Sequence, residues 1–137
     1  MTDVRIVPAG DAALVVELPP SIDPETSARI IAIADAVRDR CGAAVRDVVI
    51  GYCTATLYFD PLVASPEWLE REVRQMTAAV TTLQPHVGGL VDVPVCYGGE
   101  LGPDLADVAA FAGTTEDEVV AIHTKETYRV YVVGFIP

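Results

Sequence analysis

Residues 45–59 read VRDVVIGYCTATLYF. Two runs rich in β-branched and aromatic residues flank Gly51-Tyr52-Cys53, so the stretch predicts a hairpin. In the second run Thr54, Thr56 and Tyr58 alternate with Ala55, Leu57 and Phe59. A strand built this way has one wettable face and one apolar face. Its apolar face therefore needs a covering layer, and the flanking sequence offers one on each side.

Upstream, Asp23 can cap a helix, Pro24 suits the first helical position, and Glu25 suits the positive end of the dipole. Ile30, Ile31, Ala34 and Val37 recur at helical spacing, and Gly42 is a natural stop. Earlier still, residues 3–8 and 12–18 read as strands around Pro8-Ala9-Gly10-Asp11, closed by Pro19 and Pro20. Downstream, Asp60-Pro61 ends the hairpin. Ser65-Pro66-Glu67 opens a second helix with Trp68, Leu69, Val73, Met76 and Val80 on its apolar side. An apolar run at Leu90–Cys96 predicts one more strand. The order β, β, α, β, β, α, β predicts an α+β fold with both helices on one face of an antiparallel sheet. The expected form is ferredoxin-like with an additional N-terminal strand. Gln84-Pro85-His86-Val87-Gly88-Gly89 reads as a linker, which sets expected domains at 1–88 and 89–137.

Beyond the linker the pattern changes. Pro103–Ala112 predicts a short helix stopped by Gly113. Thr115-Glu116-Asp117-Glu118 predicts a reciprocal capping box opening a helix with Val119, Val120, Ile122 and His123. Residues 128–137, YRVYVVGFIP, are strongly strand-like. An apolar strand at a terminus is an aggregation hazard unless it is paired. The expectation is that another chain, or residues after Pro137, complete it.

The chain has 137 residues, 51% of them hydrophobic, and carries 20 acids against 9 bases for a net charge of −11. Such a chain can bury a core. Its field opposes phosphate backbones and anionic membranes, so neither nucleic acid nor membrane is an expected partner. Asp3 and Arg5 interrupt the start where a signal peptide needs apolar residues, and no run reaches membrane-spanning length. Cys41, Cys53 and Cys96 fit neither a disulfide framework nor a zinc spacing. A cytoplasmic protein without a bound metal is expected.

The residue pattern alone leaves two readings open at each candidate site. In Tyr97-Gly98-Gly99-Glu100 the glycines can admit an anion close to the backbone, with Glu100 as base. Equally, the glycines can serve a tight turn with Glu100 solvated. No Lys follows, so the stretch is not a phosphate loop. His123 suits acid–base chemistry, or a helix end. Arg129 suits a carboxylate or phosphate, or one of the many acids. Tyr128 and Tyr131 fall on opposite faces of a strand, so at most one lines any given pocket.

Four blocks carry a family resemblance: Gly10–Val16, Tyr58–Pro61, Pro94–Leu105 (PVCYGGELGPDL), and His123 with Tyr128–Phe135 (YRVYVVGF). Together they resemble the N-terminal part of the allophanate hydrolase subunit 1 family. That family also contains the B subunit of bacterial ATP-dependent 5-oxoprolinase and an inhibitor of a sporulation histidine kinase. The resemblance implies an α+β domain followed by the start of a cyclophilin-like β-barrel. It further implies a non-autonomous hydrolase subunit that acts on a small carboxylated amide or lactam. Its implied partner is a sister hydrolase subunit, the second of the allophanate hydrolase pair or its 5-oxoprolinase counterpart. ATP is then a possible co-substrate of the complex. Glu100 and His123 become the candidate catalytic pair, and Tyr97, Gly98, Gly99 and Arg129 the candidate substrate-binding set. The alternative is a non-catalytic module that inhibits a sensor kinase.

Overall fold

The computed structural model describes residues 4–80 and 88–134. They form two compact units. The larger holds the residues up to Val80 together with 131–134, and the smaller is Gly88–Val130. The expected linker falls mostly outside the described residues.

In the larger unit the chain runs β1 (Arg5–Pro8), β2 (Ala13–Glu17), α1 (Pro24–Cys41), β3 (Val45–Ile50), β4 (Thr54–Phe59) and α2 (Pro66–Ala79). The four strands make one antiparallel sheet in the order β1-β2-β4-β3. The hairpin read from residues 45–59 is present. Ile50 pairs with Ala55, Val48 with Leu57, and a bulge interrupts the register between Val45 and Asp47. Helix α1 carries the chain from β2 to the far edge, β3, and the hairpin brings β4 back into the centre beside β2.

The caps follow the sequence. The Asp23 carboxylate accepts from the Glu25 and Thr26 backbone N–H groups at 3.0 and 2.9 Å. The Ser65 hydroxyl accepts from the Trp68 N–H at 3.2 Å. Gly42 ends α1 as expected, but with right-handed φ of −54°. Its smallness matters for another reason: a Cβ there would sit 2.6 Å from the Arg38 carbonyl oxygen.

Alternation decides which side of the sheet is dry. Leu14 and Val16 of β2, and Ala55, Leu57 and Phe59 of β4, are buried against Ile30, Ile33, Ala34 and Val37 of α1 and Leu69, Val73 and Met76 of α2. Each fully buried side chain of this kind contributes about 1.5–3 kcal/mol of transfer free energy. Between the two helices, Arg40 Nε donates to Glu72 at 2.7 Å and Arg40 also donates to Gln75. On the opposite sheet face Val15 and Thr56 are half-buried, and Val49 and Tyr58 are exposed. Tyr131 from the carboxy-terminal run lays its ring 6.3 Å from that of Tyr52.

The smaller unit contains a single 3-10 turn at Gly99–Leu101, then α3 (Leu105–Ala112) and α4 (Glu116–Lys125), which pack together. Gly113 ends α3 in the left-handed conformation, φ 66°. There the Gly113 and Thr114 N–H groups return to the Ala110 and Ala109 carbonyls. The capping box forms in one direction only. Thr115 accepts from the Glu118 N–H at 3.2 Å, while the Glu118 carboxylate is taken by the Thr114 hydroxyl.

Two expected strands are not formed. Leu90–Cys96 has no sheet pairing among the described residues, and Leu90, Val91, Val93 and Val95 are exposed. Residues 128–134 form no strand either; 135–137 lie outside the described residues. Strand propensity needs a partner edge to become a strand. In the larger unit the position beside β2, where another strand could have joined, is held by β1. The observed class is therefore α+β with a four-stranded antiparallel sheet, two helices against it and two more in the smaller unit. No helix among the described residues is long and apolar enough to cross a membrane.

Candidate functional site

The residues singled out in the smaller unit are Tyr97, Gly98, Gly99, Glu100, His123 and Arg129. The glycine stretch explains itself as a turn. Gly98 and Gly99 take φ of 76° and 59°, values that disfavour side chains. The Gly102 N–H returns to the Gly98 carbonyl at 3.0 Å. A Cβ on Gly102 would lie 2.5 Å from the Gly98 nitrogen. All three glycines thus suit the fold-back of the chain before α3. Glu100 rides on the 3-10 turn and is exposed.

The turn nevertheless delivers one chemically suggestive contact. It places Tyr97 beside His123, in the last turn of α4. The Tyr97 hydroxyl and His123 Nδ1 share a hydrogen bond. The two rings meet edge to face, with centroids 5.7 Å apart at 78°. Tyr128 lies against the imidazole from a different direction, 5.2 Å away at 38°. His123 is exposed and Tyr97 half-buried. His123 thus stands at a helix end with its Nδ1 engaged by Tyr97. Aromatic pairs of this geometry contribute about 0.5–1.5 kcal/mol each, enough to bias a ring's orientation.

The structure brings Tyr97 and His123 together, 26 residues apart in sequence. It does not show Glu100 bonded to either, and Arg129 follows Tyr128 on an exposed stretch. Tyr128 is the residue that reading by spacing undervalued. The strand on which alternation would separate it from Tyr131 is not formed, but the structure gives the two different neighbours, His123 and Tyr52. Nothing in the spacing signalled that His123 would be the one to meet Tyr128.

A cavity of about 330 Å³ opens in the larger unit, lined by Ala44, Val63, Ala64, Ser65 and Trp68. It contains none of the candidate residues, and its one side-chain hydroxyl already caps α2. The glycine turn of the smaller unit does not fit a nucleoside triphosphate. The glycine turn is closed on itself, no Lys follows it, and Asp104 and Asp107 stand at the start of α3, where phosphates would be repelled.

Residues 4–137 match the family model for the carboxyltransferase domain, subdomain C and D. The chain is 33% identical over 138 residues to the 5-oxoprolinase B subunit of Haemophilus influenzae, covering 96% of this chain and 60% of that protein. It is 28% identical to the 5-oxoprolinase B subunit of Bacillus subtilis, covering 97% and 60%. A crystal structure of TTHA0988 superimposes with a TM-score of 0.70 at 30% identity, covering 91% of this chain and 24% of that one. The chain spans about 60% of the length of the curated relatives it matches. On this kinship, which runs through both units and includes the Tyr97 turn and His123, the chain belongs to the carboxyltransferase subdomain C and D family, in which it is similar to the B subunit of 5-oxoprolinase.

Proposed function

We propose that the chain is a non-autonomous subunit of a carbon–nitrogen hydrolase complex of the 5-oxoprolinase or allophanate hydrolase type. It works with a sister subunit on a small carboxylated lactam or amide. The observation that carries this reading is the near-complete coverage of the chain by 5-oxoprolinase B subunits. The Tyr97–His123 contact supports it, because it sets a titratable ring beside the Glu100 turn. In this reading Glu100 and His123 handle protons, and Arg129 receives the substrate carboxylate. Any ATP consumed by the complex binds elsewhere than at the glycine turn.

The fold reading belongs with it. The larger unit is a ferredoxin-like arrangement in which β1 takes the edge beside β2. The smaller unit is the opening part of a cyclophilin-like barrel, completed by polypeptide outside the described residues. Its exposed apolar side chains, Leu90, Val93 and Val130 among them, support that reading.

The test is turnover of 5-oxoproline and of allophanate by the purified protein with its sister subunit, with and without ATP. Substrate-dependent turnover is expected, and the Glu100→Gln, His123→Ala double variant is expected to lose at least about a hundredfold in kcat. Full activity in the double variant removes the assigned roles. No turnover at all, together with slowed autophosphorylation of a sensor kinase, transfers the protein to the inhibitor reading.

A further inference from the structure

We infer that Tyr97 is a positioning residue that fixes the tautomer of His123, so that the imidazole presents Nε2–H as a donor to an acceptor oxygen of the ligand. The inference rests on the proposed hydrolase reading of this site and deepens it. His123 becomes the group that donates to a carbonyl or carboxylate oxygen, which leaves Glu100 as the base.

The argument begins with the bond between the Tyr97 hydroxyl and His123 Nδ1. A phenol O–H is a better donor than the N–H of neutral imidazole, and a bare ring nitrogen is a better acceptor than a phenol oxygen. The arrangement that uses the better donor and the better acceptor places the hydrogen on Tyr97, directed at Nδ1. Neutral imidazole carries one N–H, so it must then lie on Nε2. The rings of Tyr97 and Tyr128 meet the imidazole from two directions, at 5.7 and 5.2 Å. They oppose the ring flip that would exchange the two nitrogens. Nε2 has no partner among the described residues, and His123 is exposed. The ring therefore offers a donor, held in orientation, with room for a ligand oxygen at hydrogen-bond distance. The chemistry selected is an amide carbonyl or a carboxylate, not a cation.

The experiment reads the tautomer directly. The chain has two histidines, so His86→Gln leaves His123 as the sole imidazole in a long-range proton–nitrogen spectrum. The ¹⁵N-labelled protein is measured at about pH 9, where imidazole is neutral. The same chain unfolded in urea serves as reference. The expected result is Nε2–H as the dominant folded form, with the minor tautomer reduced at least about threefold relative to the unfolded chain. Tyr97→Phe is expected to restore the unfolded mixture. Dominant Nδ1–H in the folded wild type overturns the inference whether or not any variant folds, and so does a Tyr97→Phe spectrum identical to wild type.

With the sister subunit present, Tyr97→Phe is expected to lower kcat about tenfold and to leave KM within about twofold. Wild-type kcat in a variant whose tautomer has shifted overturns the positioning role. Absence of turnover even in the wild type counts against the hydrolase reading, and the tautomer result then stands or falls alone.

Discussion

In residues 4–80, alternate positions along β2 and β4 and one stripe on each of α1 and α2 leave solvent together. In Gly88–Val130, Ala109 alone among the described hydrophobic residues does so. The smaller unit does not lack apolar residues: Phe111 is 96% exposed and Leu90 80%. It lacks a second layer. Its two helices meet each other, but no sheet forms beneath them, and a helix pair of 8 and 10 residues closes little volume. Apolar content becomes a core only where two layers can each bury a face. The comparison also separates structure from chemistry. The well-packed unit holds none of the candidate residues, and the open unit holds the Tyr97–His123 contact.

The largest effect that can break this comparison is a core truncation. Phe59→Ala, at a residue 1% exposed, is expected to cost about 3–5 kcal/mol in urea unfolding. Phe111→Ala is expected to stay within about 0.5 kcal/mol. A cost above about 1 kcal/mol for Phe111→Ala would mean that the smaller unit has a buried partner for that ring in solution.

Thiol reactivity gives the next largest contrast. Burial first, then the Glu72 charge, pushes the Cys41 thiol above its usual pKa. Cys41 is buried and Cys96 exposed. A maleimide is expected to label Cys96 about a hundredfold faster than Cys41 at neutral pH, read by peptide mass spectrometry. Comparable rates would show that the sheet unit opens as readily as the other.

The smallest effect concerns the helix caps. Hydrogen bonding from the Ser21 side chain, then from the Thr26 N–H, lowers the Asp23 carboxyl to about 2 from 3.8. A folded-state value below the unfolded one stabilises above the unfolded value and is lost as pH falls through the folded one. Asp23→Ala is therefore expected to lower Tm by about 5 °C near neutrality. The difference from wild type should shrink between about pH 4 and pH 2. A pH-independent difference would assign the cap's effect to geometry without charge.

Much of the larger unit was legible because its signals are local. Asp23-Pro24 and Ser65-Pro66 announce caps that rest on bonds to residues two or three positions away. The alternation of Thr54 to Phe59 announces which face is dry. Leu90–Cys96 misled for the opposite reason. Its β-propensity is real, but a strand also needs an edge to pair with, and no local pattern supplies one. Gly42 ends α1 where the sequence placed the stop, but what holds a glycine there is the nearby Arg38 carbonyl, which no local pattern announces. At the candidate site the three glycines of the turn were legible, and so was His123 as a titratable group. Its partners were not.

By itself, then, the sequence determined the α+β class, the hairpin, the capped helices and the acidic field that disfavours polyanions. Each follows from backbone geometry within a few residues or from summed charge. Only the tertiary structure decided that β1 borders β2, that the glycine block is a closed turn, and that Tyr97 and Tyr128 converge on His123. Those outcomes join residues up to 26 apart, and no local period encodes which distant surfaces will meet.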